Sequence, residues 1–206
     1  MIRVVAVNIG KARDIDAKSG RTGIFKTPQD GPVSVGPKGL AGDTIVDVKH
    51  HGGPAQAVYA YCCADAAWWA DQLGHPVPPG YFGENLTLDG IASQDFALGD
   101  RLVFGDLQLR VTSPRIPCVT LERRVGVKGF AARFHKAARP GPYFAVEAPG
   151  PVVAGMAATL QPFAGARIEI ARLMQANWVR VLSPEERAAL PATRPHPDIL
   201  ASLSAS

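Results

Sequence analysis

The segment Ser113-Pro114-Arg115-Ile116-Pro117-Cys118 places a thiol three residues after a guanidinium and sets prolines around both. A cysteine acts as a nucleophile or soft-metal ligand only as thiolate, and neighbouring positive charge favours that form. Each proline fixes its own φ and biases the residue before it toward an extended backbone. The segment therefore predicts a Cys118 held in a defined pose. A small buried hydrophobe closing a strand would have the same local sequence, because cysteine is among the most buried residue types. On this segment alone, packing and chemistry both stay open.

Three other clusters carry groups of interest. His50-His51-Gly52-Gly53-Pro54 sets two adjacent histidines before a glycine pair. Neighbours on an extended chain point to opposite faces, so the two would not share one metal. One of them can face a pocket while the glycines admit a ligand close to the backbone. A tight turn with a capping histidine explains the same residues. Phe82-Gly83-Glu84-Asn85-Leu86 puts a carboxylate and an amide at the start of a strand, suited either to orienting a polar ligand or to satisfying turn amides. Lys26 precedes the Thr27-Pro28 turn, where surface solvation is its default explanation. Other templates fail: there is no Cys-x-x-Cys, no His-x-x-x-His, no phosphate loop and no Gly-x-Ser-x-Gly elbow. The glycines of Gly36 to Gly42 superficially suggest a dinucleotide loop, but a strand-like Thr44 to Val48 follows where a helix is required.

Short apolar runs separated by turns must position these groups. Ile2 to Asn8, Val33 to Val35, Asn85 to Leu88, Asp100 to Phe104 and Leu107 to Thr112 read as strands, many bounded by Asp-Gly or Gly-Asp pairs. Pro142 to Val146 and the alternating Arg167 to Ala171 read as returning strands. Such spacing suggests an antiparallel barrel or sandwich. Ala64 to Leu73 is a helix with Gly74 as its stop, and only one of Trp68 and Trp69 can face the core. Cys62 and Cys63, at the entry to that helix, are assigned to packing. Val119 to Arg124 and Phe130 to Ala138 form two short helices. Ser183-Pro184-Glu185-Glu186 has the cap, proline and acidic first turn of another, and Asp198 to Leu203 adds a further turn.

Composition limits the function classes. The 206 residues are 47% hydrophobic, enough for one domain with an appendage. A net charge of +4, scattered along the chain, does not indicate nucleic acid. No apolar run approaches the roughly 20 residues that span a bilayer, so no membrane role is expected. The N-terminal run lacks a cleavage site and reads as a first strand. Three cysteines, two adjacent, make no disulfide framework, and the cytoplasm is their natural compartment.

The order of the clusters is more specific than any one of them. Lys26-Thr27-Pro28, Gly39-Leu40-x-Gly42-Asp43, His51-Gly52-Gly53-Pro54 with Ala57-Val58-Tyr59-x-Tyr61, Phe82-Gly83-Glu84-Asn85-Leu86, Gly99-Asp100 and Pro114-Arg115-x-Pro117-Cys118 follow one another along the chain. This series closely resembles the MOSC domain family, named for the C-terminal domain of molybdenum cofactor sulfurases, and within it the stand-alone bacterial YiiM-like branch. The resemblance implies a mainly β, MOSC-type barrel with short helices over residues 1–172, core motifs at 26–118, and a small helical C-terminal tail over 173–206. It implies a molybdenum cofactor (molybdopterin) site with Cys118 as catalytic residue and metal ligand, lined by Lys26, His51, Glu84, Asn85 and Arg115. The leading expectation is a reductase of small N-hydroxylated compounds fed by an external electron donor. Two alternatives stand beside it. In one, Cys118 is a sulfur carrier holding a persulfide supplied by a partner cysteine desulfurase, whose pyridoxal phosphate stays on that partner. In the other, the chain is a cofactor carrier without turnover.

Overall fold

The computed structural model describes residues 1–17, 20–48, 52–175 and 181–204. His50 and His51 lie outside the described residues, so the expected role of His51 has no structural counterpart here. Thirteen strands occur among the described residues. They are β1 (Ile2–Gly10), β2 (Arg13–Asp14), β3 (Arg21–Thr22), β4 (Lys26–Pro28), β5 (Val33–Gly36), β6 (Gly39–Leu40), β7 (Val58–Cys62) and β8 (Leu86–Asp89), followed by β9 (Arg101–Phe104), β10 (Leu107–Pro114), β11 (Pro142–Ala148), β12 (Gly150–Val152) and β13 (Ala157–Gln161). Seven of them close a barrel in the order β13-β9-β10-β11-β7-β8-β1, with β1 returning to β13 and β4 added beyond β1. All neighbours in the ring are antiparallel except β7 and β8, which run parallel through Ala60↔Leu86 and Cys62↔Leu88.

Strand β7 shows how the barrel and the site are built together. All five of its residues are buried. Val58, Ala60 and Cys62 face the barrel core, where they join Leu86, Leu102, Leu109 and Phe144. Tyr59 and Tyr61 face the other way, into a second cluster with Trp69, Phe82, Phe130 and Phe134. The period of two is intact, but both faces are covered, as expected for a strand with a parallel neighbour.

Helix α1 (Cys63–Leu73) follows β7 directly and stops at Gly74. Trp69 is buried and stacks on Phe134 with centroids 5.7 Å apart, while Trp68 lies under the Arg139 guanidinium at 4.8 Å. Helices α2 (Val119–Val125) and α3 (Phe130–Ala137) close the aromatic cluster through Leu121, Phe130 and Phe134.

Two expected strands are corrected. Thr44 to Val48 is β-rich in composition yet joins no sheet; it runs as an irregular wall beside the cleft described below. Arg167 to Ala171 does alternate, with Ile168 and Ile170 buried, but its contact with a strand-like partner is the single bridge Ala97↔Glu169. Helix α4 (Ile170–Gln175) begins inside it. The alternation records burial, not a ladder. Beyond it lie α5 (Pro184–Ala189), capped by Ser183, and α6 (Pro197–Ser204). Leu182, Leu190 and Ile199 from this stretch belong to the barrel core cluster, so the tail packs on the barrel.

Candidate functional site

The end of β10 is bent. Its register with β11 shifts between Val111 and Ser113, leaving Thr112 as an extra residue whose hydroxyl donates to the Tyr143 carbonyl at 3.1 Å. Bulges re-aim the residues beyond them and recur beside functional sites. Here the shift delivers Arg115, whose N–H still bonds the Gly141 carbonyl at 3.1 Å, and Tyr143 to one cleft. Cys118 follows at the N-cap of α2, half-buried against the edge of the aromatic cluster. The cleft holds about 100 Å³ and is bordered by Lys26, Asp43, Tyr59, Asn85, Arg115, Cys118 and Tyr143, among others.

Arg115 is the dominant charge. It is 5% exposed, donates from Nη1 to the Phe82 carbonyl at 3.1 Å and lies 5.0 Å over the Tyr59 ring. Its Nε is buried with no hydrogen-bond partner among the described residues. No carboxylate pairs with it there. Burial disfavours its charge, but the surrounding Tyr143, Tyr59, Cys118 and Glu84 groups more than offset this and push its pKa up. The same interaction couples Arg115 to Cys118 and to Tyr143. A permanently charged guanidinium beside a thiol favours the thiolate.

Lys26 also borders the cleft, paired with Asp43, and both side chains are 8% exposed. The second interaction of the Asp43 carboxylate comes from Asn85 Nδ2 at 2.9 Å, and its other oxygen accepts the Gly10 N–H at 2.8 Å. Burial lowers the Lys26 pKa, and Asp43, pulling the other way, does not fully restore it. Asn85 is itself locked: Oδ1 accepts the Tyr59 N–H at 3.2 Å. It positions Asp43 and Lys26 while bordering the cleft.

Glu84 does not border the cleft. Its carboxylate accepts the N–H groups of Gly80 at 2.6 Å and Phe82 at 3.1 Å, and the Thr87 hydroxyl at 3.1 Å. Gly83, at φ 83°, makes the turn that brings the carboxylate back on these amides. Glu84 therefore shapes the loop that carries the Phe82 carbonyl to Arg115. Burial raises its pKa despite those bonds. A carboxyl whose folded pKa is raised stabilises the protein below its unfolded pKa and loses that contribution as pH rises through the folded value. In urea unfolding, stability should therefore fall as pH rises above the ordinary carboxylate value of 4.5, and Glu84→Gln should flatten that slope. An unchanged slope in the variant would contradict it.

Lys26, Asn85, Arg115 and Cys118 thus meet in one place, and Glu84 supports it from behind. Asp43, Tyr59 and Tyr143 were missed as site residues. Asp43 and Tyr59 lie inside the ordered motifs, but nothing in the sequence gives their distance to Lys26 or Arg115. Cys62 is wholly buried and Cys63 partly so, and burial raises both pKa values. That environment suits packing and opposes thiolate chemistry. Among the described residues no group of three or more His, Cys, Asp or Glu side chains could hold a metal ion. No helix there is long and apolar enough to cross a membrane.

Residues 47–159 match the MOSC domain. The chain is 33% identical over 154 residues to the uncharacterized protein YflK of Bacillus subtilis, covering 74% of this chain and 70% of that one. It is 33% identical over 107 residues to a protein named reductase from Gibberella moniliformis, a match covering 49% of this chain but 18% of that protein. The crystal structure of YiiM from Geobacillus stearothermophilus superposes with a TM-score of 0.71 at 26% identity, covering 94% of this chain and 100% of that one. With the closed barrel and the ordered motifs, these matches make the chain a member of the MOSC domain family.

Proposed function

We propose that the cleft binds a molybdenum–pterin cofactor through the Cys118 thiolate and uses it to reduce small N-hydroxylated compounds. The observation that carries this reading is Arg115, a buried cation whose Nε has no partner among the described residues, bordering the same cleft as Cys118. A buried N–H without an acceptor is costly, and an anionic group arriving in the cleft would supply one.

The residues fit such a cofactor. A thiolate is a soft ligand suited to a thiophilic metal. Arg115 and Lys26 offer positive charge to its phosphate or oxo groups, and Asn85 holds the Asp43–Lys26 pair in place. When bound, the group would supply the two-electron chemistry that converts an N–OH to an N–H with release of water. That conversion consumes two electrons and two protons. Lys26 Nζ and the Tyr143 hydroxyl are proton-bearing groups at the cleft wall, the former eased toward release by burial. The chain carries no flavin, nicotinamide or iron–sulfur motif, so the electrons would come from an external donor in the reducing cytoplasm. The relative named reductase supports a redox reading.

The test is turnover by molybdenum-loaded protein given N-phenylhydroxylamine and a chemical reductant. Aniline formation that depends on molybdenum is expected. Full molybdenum loading without turnover would instead support a carrier. An added sulfur on Cys118, seen by mass spectrometry in metal-free protein, would support persulfide transfer.

A further inference from the structure

A second cleft, of about 270 Å³ and sharing no lining residue with the first, lies between the barrel and the tail. Arg101 on β9 and Arg110 on β10 sit directly opposite each other in the ladder. Like charges in that position repel. Arg194, from the tail, joins them. All three guanidiniums converge on one carboxylate, Glu147: Arg101 Nε at 2.5 Å, Arg110 Nε at 2.8 Å, and Arg194 through Nη2. Glu147 is the extra residue where the β10–β11 register shifts between Ala148 and Val146, which aims its side chain at the group.

Three arginines against one glutamate leave two positive charges in excess. The neighbouring acid, Asp100, is fully buried and already engaged by Arg167. Arg110 also donates from Nη1 to the carbonyls of Thr193 and Arg194. Arg101 and Arg194 each use one nitrogen on Glu147, while each guanidinium has five N–H donors. The crowding registers on Arg110, pushed down to about 10 by burial and by the charges of Arg194 and Arg101. Arg194 is held at φ 49°, a left-handed conformation uncommon for a residue with a side chain. Phe163 also lines the cleft. It lies so close to Gly99 that a Cβ there would meet it at 2.9 Å. An aromatic wall beside a cationic one fits a ligand with a flat organic part and an anionic head.

We propose that this cleft binds a small organic phosphate, its dianionic head on Arg101, Arg110 and Arg194 and its organic part on Phe163. A phosphomonoester carries close to two negative charges at neutral pH and offers three acceptor oxygens, matching both the excess charge and the forked donors. Because Arg110 and Arg194 join the barrel to the tail, the ligand would also tie the two together.

Calorimetric titration of the full chain at low salt with phenyl phosphate, inorganic phosphate and succinate tests this. Phenyl phosphate should bind several-fold tighter than inorganic phosphate, and succinate least. Arg101→Gln should weaken phenyl phosphate at least tenfold, and Phe163→Leu should erase its advantage over inorganic phosphate. In the wild type, amide NMR shifts on titration should centre on Gly99, Phe163 and Ala192, a readout independent of how the variants fold. Succinate binding as well as phenyl phosphate would overturn the phosphate assignment. The site itself is refuted by no saturable binding, or by binding that survives Arg101→Gln and is lost in Lys26→Gln.

Discussion

Replacing Cys118 by serine is expected to lower molybdenum-dependent reduction by on the order of a thousandfold or more, the scale seen when a group acting at the reacting centre is removed. Serine keeps the size of the side chain but replaces the thiol by an alcohol, a far weaker acid and a harder ligand. The fold should not notice. Cys118 is half-buried at the rim of the aromatic cluster, and its carbonyl, which accepts the Glu122 N–H at 3.2 Å, is unaffected by the change. Urea unfolding of Cys118→Ser should therefore lie within about 1 kcal/mol of wild type. A variant that loses activity only because it unfolds would assign Cys118 to packing.

Arg115→Met is expected to separate binding from stability. Among the described residues the buried Arg115 guanidinium makes one hydrogen bond, to the Phe82 carbonyl, lies over the Tyr59 ring and has no partner for Nε. Replacing buried ionic groups by apolar side chains is tolerated when no opposite charge is left stranded, and no carboxylate pairs with Arg115 among the described residues. Methionine would keep contact with Tyr59 and give up the bond to the Phe82 carbonyl, so unfolding stability should fall by no more than about 2 kcal/mol. Cofactor retention should drop by about a hundredfold, the cost of losing a desolvated charge pair of 2–5 kcal/mol. Loss of several kcal/mol of stability in Arg115→Met would mean the guanidinium holds the fold together, and the argument for a ligand on it would fail.

The residues that told most in the sequence were those with short-range signals. Gly74 ends α1, Ser183 caps α5 with Glu186 reaching back, and the turn before Leu107 makes the β9–β10 hairpin; each acts within a few residues, where spacing is visible. The ordered motifs placed Lys26, Asn85, Arg115 and Cys118 together because they carry a family likeness. What was not legible depends on long-range contact. Ile45 and Val46 have strand propensity, yet they join no sheet and line a cleft instead. Ile168 and Ile170 alternate because the barrel covers them, although the chain is turning into α4. Glu84 carried the right charge to line a site, but three donors from Gly80, Phe82 and Thr87 claim it first. Asp43 sits 17 residues from Lys26 and 42 from Asn85, and only the folded barrel makes them a unit.

X-ray absorption at the molybdenum edge on gently purified protein, with metal content measured alongside, tests the central claim most directly. Wild type should carry stoichiometric molybdenum with a protein sulfur among its ligands, and Cys118→Ser should lose that sulfur and most of the metal. A Cys118→Ser protein that keeps the same metal content, the same edge spectrum and the same activity would contradict the account.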